Sequence, residues 1–572
     1  MGIPSYFSYI IKNHSNIIRS WHYHRSVQKT KFTSMYMDCN SIVYDAVRRI
    51  EEEDRDGVAD ATDRPMDLRI IDAVVQKIKE YVRLIAPTHT VYIAFDGVAP
   101  FAKMEQQRTR RYKTAFLATL DFEHSRRLSE EELASSASKK WNTTAITPGT
   151  EFMSKLSKRM VAEFGKASGY AEKEGIRTVV VSAADKPGEG EHKMFQYLRE
   201  HTSKHETIAV YGLDSDLIML SIFHCFYCYN IHIFRESPAF SASILPANLR
   251  GQISPNEPLF LDTYRFSMSM LQEMHVGNTT PALIRMRIYD YVFMCFLLGN
   301  DFLPHFLALN IRNHGIQQIM DTYSVHIGAY PTKSLIDEAS LTIRWEYVAL
   351  FLSELAKHEH TFLLEEYKIR DRMSSRCHSA DKTAEDRENA FQNTPLMMRA
   401  DEKYICPDEQ GWEERYYKTA FHWTAEEARD ADNKTAVCRN YCEGLEWVFL
   451  YYTKGCPHWR WKYNYAYPPL LGDLSAFLAW YVAKTETVQF IRPDVGINRP
   501  FSQLTQLSYV IPKFQHGLLP VQMRERIRPQ SALFPSLNCL AFKWLGCRYF
   551  WEAHPVLPDI PLSILETWER VV

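Results

Sequence analysis

The sequence carries almost no net charge. Its 67 lysines and arginines stand against 69 aspartates and glutamates, which gives a formal net charge of −2. A polycationic surface over the whole chain is therefore excluded, and any contact with nucleic acid must come from a local basic patch.

The sequence also lacks a paired cysteine framework and a long apolar run. It has 11 cysteines, and Cys225 and Cys228 form a lone CxxC pair without a second pair at zinc spacing, so we interpret them as buried apolar residues. No apolar stretch reaches the roughly 18 residues of a membrane-spanning helix, and no signal pattern opens the chain. We therefore expect an intracellular protein, cytoplasmic or nuclear, or located in the host cytoplasm if it is viral.

What the chain does have is length and apolar content. With 572 residues, of which 46% are hydrophobic, it can bury a large core. Residues 1–325 alternate strand-like and helical stretches, which is typical of a βαβ arrangement, whereas residues 340–572 are mainly helical and rich in aromatic residues. We expect these to be two regions of the protein. The polar stretch 371–402 is predicted to be a surface excursion or a disordered loop.

Seven acidic residues in short motifs are the most informative feature of the sequence. Four motifs follow the apolar, β-rich runs SMYMD, TVYIAFD, RTVVVSAAD and TIAVYGLD, which predict buried parallel strands. Ligands of open α/β sheets bind at the carboxyl ends of the strands, so the acids should meet in one crevice. The seven residues are Asp38, Asp96, Glu189, Glu191, Asp214, Asp216 and Asp301.

A cluster of carboxylates needs cations, and Mg²⁺ or Mn²⁺ with oxygen ligands is the usual partner. Two such ions about 3.5–4 Å apart clamp the attacking and leaving oxygens of a phosphodiester. A single Asp after a strand is more often a helix cap. The pairs Glu189/Glu191 and Asp214/Asp216, however, stand two residues apart at predicted helix starts, where both members cannot be caps. We therefore predict a two-metal site.

A basic segment directly follows Asp96. Five positive charges lie within eleven residues of DGVAPFAKMEQQRTRRYK. In a helix, Lys103, Gln107, Arg110 and Arg111 fall on one face, at i, i+4, i+7 and i+8. On its own such a face would be interpreted as a solvated surface. Beside the acids it predicts a site that fixes a terminal phosphate by charge-assisted hydrogen bonds.

With these motifs, the chain resembles the XRN family of 5′→3′ exoribonucleases. MGIPSYF, MYMDCNSIVY, YIAFDGVAPFAKMEQQRTRR, ITPGTEFM, KPGEGEHKMFQYLR, YGLDSDLIML and LLGNDFLPHF follow in the family's order. YCEGLEWVFLYYTKGCPHWRWKYNYAYPPLLGD and FSQLTQLSYVIPKFQHGLLP are similar to the family's second region. The likeness runs along nearly the whole chain and implies a compact member that consists of the catalytic core.

The resemblance implies a fold and residue roles. The fold is α/β, a PIN or 5′-nuclease-like, mostly parallel sheet flanked by helices in an exonuclease domain at residues 1–325, with the helical, aromatic-rich region 340–572 packed over the active site. The seven acids correspond to the family's catalytic and metal-binding set, and the basic face to its pocket for a 5′-monophosphate. Trp459 and Trp461 lie where the family has tryptophans near the RNA path. One of them would stack on a base, and the alternative for each is a place in the core.

The sequence departs from the family pattern at a few positions. Ser41 and Tyr44 stand where the family usually has a Gly and a His that stacks on the terminal base, and the Tyr44 ring could stack instead. Phe101 replaces a usual Arg ahead of the phosphate pocket, and His458 and Asn464 differ from a Ser and a His of the second region. None of these changes touches the acids, so activity is expected to be kept.

The resemblance therefore implies a processive, metal-dependent exoribonuclease that degrades single-stranded RNA with a 5′-monophosphate to nucleoside monophosphates, using two Mg²⁺ or Mn²⁺ ions. One alternative is a flap-endonuclease-like DNA 5′-nuclease, which shares the acids but not the QQRTRR pocket or the second region. The other is an RNA-binding scaffold without catalysis, in which acids would be lost. We expect no membrane partner, and the sequence does not identify decapping or RNA-processing partners.

Overall fold

The protein is built around a seven-stranded, mostly parallel sheet flanked by helices. The computed structural model describes residues 3, 5–56, 64–137, 141–212, 214–236, 257–274, 280–376, 383–492 and 496–570. The described strands are β1 (Ile18–Ser20), β2 (Ser34–Asp38), β3 (Thr90–Ala94), β4 (Leu120–Asp121), β5 (Arg126–Arg127), β6 (Thr178–Ser182), β7 (Thr207–Tyr211), β8 (Asn230–Glu236), β9 (Pro258–Asp262), β10 (Ile336–Asp337), β11 (Thr342–Ile343), β12 (Phe542–Lys543) and β13 (His554–Pro555).

The strand order of the main sheet is β1-β9-β8-β7-β2-β3-β6. The four predicted strands, β2, β3, β6 and β7, run parallel at one side of this order, and the predicted fold class is confirmed. Asp38 of β2 pairs in register with Ala94 of β3, and Ala94 with Ser182 of β6, so the carboxyl ends of these strands lie level at one edge. The sequence analysis missed β1, β8 and β9, of which β9 runs antiparallel to both neighbours.

Both faces of the sheet are covered by apolar side chains. Met35 and Met37 of β2 pack with residues of helices Asn40–Arg55 and Met66–Ile85 on one face, whereas Tyr36 belongs to the apolar cluster on the other. A parallel strand buried on both faces is apolar along its whole length, which explains the continuous apolar runs from which the strands were predicted.

Helices supply the layers on both sides. The first part of the chain contributes α-helices Tyr6–Asn13, Asn40–Arg55, Met66–Ile85, Phe101–Ala118, Glu130–Ala137, Glu151–Phe164, Tyr170–Glu174, Gly190–His201, Asp216–His224, Thr263–Glu273, Pro281–Cys295 and Gly315–Tyr323. The second part contributes Trp345–Ala356, Glu359–Ser374, Ala384–Gln392, Thr394–Met397, Ala400–Ile405, Trp412–Phe421, Ala425–Arg429, Ala431–Thr453, Leu471–Lys484, Gln503–Val510, Val521–Ile527 and Leu562–Glu569. Within the described ranges, we find no helix that combines the length and the apolar character needed to cross a membrane.

The two predicted regions share a core. The largest apolar cluster contains Ile208 and Phe293 from the first region together with Trp447 and Leu478 from the second. Packing therefore continues across the predicted boundary, and the division into regions 1–325 and 340–572 stays a prediction.

The polar stretch 371–402 is largely helical where the structure describes it, so the alternative of a disordered loop is wrong there. Helix Ala384–Gln392 begins with a capping box, in which Thr383 and Asp386 each accept a hydrogen bond from the other's backbone N–H. Such a helix has few apolar positions, and its stability depends on local capping rather than on a periodic apolar face.

Candidate active site

Four of the predicted acids lie where central strands end. Asp38 is the last residue of β2, and Asp96 follows the end of β3 by two residues. Asp214 follows β7 by three residues and is exposed, whereas Asp216 is buried as the first residue of a helix. The parallel register brings these strand ends to one edge of the sheet, as the sequence predicts.

Glu189 and Glu191 enter from a helix that begins at the same edge. A Cβ atom on the glycine between them, Gly190, would lie 2.7 Å from Asp38 Oδ1 and 3.5 Å from Asp96 Oδ1. The Gly190 N–H instead donates to Asp96 Oδ1 at 2.7 Å. The Glu-Gly-Glu motif thus has a spatial reason, because only glycine lets this helix start approach the two carboxylates so closely.

Lys103 joins Asp301 to the other acids. Its Nζ lies 2.5 Å from Glu189 Oε2 and 2.8 Å from Asp301 Oδ2. Burial alone would lower the pKa of Lys103, but the two carboxylates outweigh it and raise that pKa well above its usual value. Burial would raise the pKa of Asp301, yet the ammonium of Lys103 holds it below its usual range. An internal cation therefore neutralises part of the cluster.

Other members of the cluster are held in unfavourable surroundings for a negative charge. Burial, followed by the charges of Asp96 and Asp214, raises the pKa of Asp38 well above its usual value. Burial also raises the pKa of Asp216 to about 6 and the pKa of Glu191 well above its usual value. Lys103 is thus not sufficient to compensate all the carboxylates, and the cluster has room for further positive charge.

The donor set fits a hard divalent cation. Carboxylate oxygens are the ligands that Mg²⁺ and Mn²⁺ prefer. Asp38 Oδ1 is a buried oxygen without a hydrogen-bond partner among the described residues. Buried oxygens normally have a partner, so this atom is suited to bind a cation. The acidic cluster can therefore hold a metal ion.

His192 is a further candidate ligand that the sequence analysis missed. Glu189, Glu191 and His192 each offer a ligand atom, and these atoms lie within 4.8 Å of one another. The His192 ring stacks on Tyr451 with 3.6 Å between the ring centroids. The sequence signal for His192 is its position directly after Glu191, because neighbouring residues in the first turn of a helix can reach the same crevice.

Two tyrosines of the second region also contact the acids. Tyr451 Oη donates to Glu189 Oε1 at 2.9 Å, and Tyr452 Oη donates to Asp216 Oδ1 at 2.8 Å. They are separated from these partners by 262 and 236 residues along the chain, respectively. No local sequence pattern could have indicated such contacts, because they depend on how the helix of the second region docks.

The basic segment forms the predicted helix, Phe101–Ala118. Two of its five cations, the buried Arg108 and the half-buried Lys113, donate to backbone carbonyl groups within residues 533–558. These bonds fasten the C-terminal part of the described chain to the helix. Lys103 pairs with Glu189 and Asp301, so Arg110 and Arg111 are the two cations of the segment that remain as candidates for binding a ligand.

The predicted phosphate-binding face lies along this helix and begins beside the acids. Gln107 Oε1 accepts from Gln506 Nε2 at 3.2 Å, and Arg111 donates to Thr147 Oγ1 at 2.5 Å. Arg110 is exposed, and its guanidinium group has no hydrogen bond or ion pair with another described residue. The face is therefore held by partners from two other segments, with one guanidinium group fully available.

The three aromatic residues predicted near the RNA differ in their surroundings. Tyr44 is half-buried against an apolar cluster, and its phenol is near enough to the Arg111 guanidinium to influence the pKa of that group, which burial lowers to about 10. Trp461 stacks on Trp447 with 5.4 Å between the ring centroids. Trp459 is half-buried, and its ring stacks on no other described aromatic ring. Trp461 is also half-buried and packs against the largest apolar cluster.

The departure at Phe101 has a packing explanation. Its buried ring meets the rings of Phe501 and Tyr509 edge-on, with centroids 5.8 and 5.5 Å apart. Lys462 Nζ lies 5.4 Å from the centroid of the Phe101 ring. This position therefore anchors the second region to the basic helix, and a cation from that region lies over it.

A mostly parallel sheet with an acidic cluster at its carboxyl edge defines a PIN-like fold with a nuclease-type site. The family model described as XRN 5′-3′ exonuclease N-terminus matches residues 1–237, and the model described as Xrn1 helical domain matches residues 284–407 and 400–565. The chain belongs to the XRN family of 5′-3′ exonucleases, as its motifs predict.

Curated relatives are similar along nearly the whole chain. The 5′-3′ exoribonuclease 2 of Gallus gallus is 24% identical over 98% of this chain and 69% of its own length. The 5′-3′ exoribonuclease 1 of Homo sapiens is 25% identical over 98% of this chain and 33% of its own length. The 5′-3′ exoribonuclease 2 of Arabidopsis thaliana is 25% identical over 93% of this chain and 61% of its own length.

Proposed function

We propose that this protein is a metal-dependent 5′→3′ exoribonuclease that degrades single-stranded RNA with a 5′-monophosphate, one nucleotide at a time and processively. The observation that carries the proposal is the convergence of strand-end and helix-start carboxylates beside the basic face of helix Phe101–Ala118. Family membership and the names of the relatives, which are 5′-3′ exoribonucleases, support the polarity and the RNA substrate.

The carboxylates are proposed to hold two Mg²⁺ or Mn²⁺ ions. When bound, the metal would supply the positive charge that activates a water and stabilises the leaving oxygen. The protein fixes the acids in advance, since the Gly190 N–H and Asn40 Nδ2 both donate to Asp96, at 2.7 and 2.5 Å. Lys193 Nζ donates to the carbonyl groups just after β3 and β6 and so ties the two strand ends together. The proposed ligands are Asp38, Asp96, Glu189, Glu191, Asp214, Asp216 and Asp301.

We assign recognition of the 5′-monophosphate to the face that carries Lys103, Gln107, Arg110 and Arg111. The exposed Arg110 and the Arg111 guanidinium, which donates to the Thr147 hydroxyl, can donate charge-assisted hydrogen bonds to a phosphate. A triphosphate or a cap brings more bulk and charge than a closed pocket admits. Attack elsewhere along the strand is then disfavoured, because the anchored end sets the register.

The second region is proposed to cover the site and to form the channel for the strand. Its contacts with the acids through Tyr451 and Tyr452 and with Gln107 through Gln506 support this arrangement. Trp459 is proposed as the stacking tryptophan, since Trp461 is packed on Trp447. Tyr44 would stack on the terminal base, and a base stacked on an aromatic ring contributes about 1–3 kcal/mol.

The test is the degradation of one RNA prepared with a 5′-monophosphate, a 5′-triphosphate or a 5′-hydroxyl. The parent is expected to degrade the monophosphate form fastest. The double variant Arg110→Ala/Arg111→Ala should reduce the preference for monophosphate over hydroxyl at least tenfold, because each charge-assisted contact with the phosphate contributes about 1.5–3 kcal/mol. The measurement is the ratio of initial rates on the two RNAs.

A matched control is Arg48→Ala/Arg49→Ala, an adjacent arginine pair on another helix with side chains 71% and 55% exposed. It should leave the ratio unchanged. An unchanged ratio in the Arg110/Arg111 variant would place the phosphate pocket elsewhere. Faster cleavage of a DNA flap than of RNA would favour a DNA 5′-nuclease, and RNA binding without Mg²⁺-dependent hydrolysis would favour a scaffold.

A further inference from the structure

Two consecutive tyrosines contact two different acids of the site. Both are buried, with side chains near the C-terminal end of helix Ala431–Thr453. Consecutive residues on a helix point about 100° apart, so a single helix end can reach Glu189 and Asp216 at the same time. The Tyr451 hydroxyl donates a hydrogen bond to Oε1 of Glu189, and the Tyr452 hydroxyl donates one to Oδ1 of Asp216. The second oxygen of Glu189, Oε2, lies 2.5 Å from Lys103 Nζ within the cluster.

These hydroxyls are donors under any ordinary condition. A tyrosine phenol keeps its proton near neutrality, and the two hydroxyls lie 2.9 and 2.8 Å from the carboxylate oxygens to which they donate. A fixed donor on one oxygen limits the rotation of a carboxylate that would otherwise turn away from its negatively charged neighbours. Outer contacts of this kind orient the ligands of metal sites in general.

We propose that Tyr451 and Tyr452 are positioning residues that fix Glu189 and Asp216 for metal binding, so that docking of the second region sets the affinity of the first region for its ion. The inference rests on the proposed metal-dependent function, and it concerns residues outside the ligand set. It gives helix Ala431–Thr453 a role in the chemistry in addition to its packing.

The competing explanation is packing alone. The Tyr451 ring stacks on His192 and meets Trp447 at 4.8 Å between centroids, and the Tyr452 ring meets Phe296 at 5.2 Å. If only the rings matter, removing the hydroxyl groups will leave metal binding unchanged. Phenylalanine therefore separates the two explanations, because it keeps the ring and loses the hydrogen bond.

The experiment compares the full chain with Tyr451→Phe, Tyr452→Phe and the double variant. Mn²⁺ binding is measured by calorimetry on the purified protein without RNA. We expect each single variant to bind Mn²⁺ roughly tenfold more weakly and the double variant to lose more, within the 10–100-fold range of outer contacts in metal sites. With 5′-monophosphorylated RNA, the Mn²⁺ concentration for half-maximal rate should rise by the same factor, whereas the rate at saturating Mn²⁺ should largely recover.

The matched control is Tyr416→Phe in the same region. Tyr416 is also fully buried, and its hydroxyl donates at 2.7 Å to the carbonyl of Pro468, away from the acids. It should show a comparable small change in Tm and no change in Mn²⁺ affinity. Melting curves of all variants show whether each remains folded.

A double variant that binds Mn²⁺ with the affinity of the parent would overturn the inference, and so would a parent that binds no Mn²⁺. A parent that binds Mn²⁺ but leaves all the RNAs intact would overturn the proposed function alone. In that case the calorimetric comparison still decides whether the tyrosines position the acids.

Discussion

Glu191→Gln is expected to reduce the rate of RNA hydrolysis roughly 10³-fold or more, which corresponds to an activation barrier about 4 kcal/mol higher. The same variant is expected to make the metal-free protein more stable. The Glu191 side chain is buried and offers a ligand atom within 4.8 Å of those of Glu189 and His192. Burial, and the like charges of Glu189 and Asp216, raise its pKa well above the usual value, so its charge is unfavourable unless a cation is bound. Glutamine keeps the shape and removes that charge. The Tm in EDTA should rise by roughly 1–3 °C.

The measurements are the hydrolysis rate on 5′-monophosphorylated RNA and thermal unfolding with and without Mn²⁺. Glu359→Gln is the control, since Glu359 is also buried but accepts from the backbone N–H groups of Leu471 and Gly472 outside the cluster. That variant should be less stable, because a glutamine cannot accept both bonds, and should stay active. Full activity of Glu191→Gln would remove Glu191 from the ligand set, and a lower Tm in EDTA would contradict the view that the carboxylates repel one another.

The sheet and the acids were predictable because their signals are local. A central strand buried on both faces is a continuous apolar run, and the acid directly after it, as at Asp38 or Asp96, is carried to the shared edge by the parallel register. Edge strands such as β1, only three residues long, carry too short a pattern to be recognised. The reason for the glycine in the Glu-Gly-Glu motif could not be predicted, because it depends on how closely Gly190 approaches the Asp38 carboxylate in the folded protein.

The rest of the site depends on docking between distant segments. The helix that carries Tyr451 lies in the region predicted to be mainly helical, but its contact with Glu189 spans 262 residues. Lys103 was assigned to the phosphate pocket by its face on the helix. Its ammonium lies between Glu189 and Asp301 because buried acids attract the nearest long cationic side chain. Periodicity identifies the face of a helix but not the direction of a flexible side chain at its end.

Lys103→Met is expected to lower the stability of the metal-free protein strongly. Removing one partner of a buried ion pair costs about 3–5 kcal/mol, because the remaining charges are left uncompensated. The Lys103 side chain is 13% exposed and contacts two acids, at 2.5 and 2.8 Å. The pKa of Lys103 is raised in the folded protein. The stabilisation that its charge provides is therefore complete below its pKa in the unfolded chain, about 10.4, and is lost only as the pH rises through its pKa in the folded protein. The ammonium of Lys103 therefore does not titrate near neutrality and adds no pH dependence of its own there.

Mn²⁺ should restore much of this loss, because added positive charge has more effect where an internal cation has been removed. The Mn²⁺-induced rise in Tm is thus expected to be larger in Lys103→Met than in the parent. Lys462→Met is the matched control: its side chain is 16% exposed and lies between Asp559 and Glu105, at 2.8 and 3.2 Å, outside the acidic cluster. It should lose stability without gaining a larger response to Mn²⁺. An equal response in both variants would show that Lys103 does not compensate the acids that bind the metal.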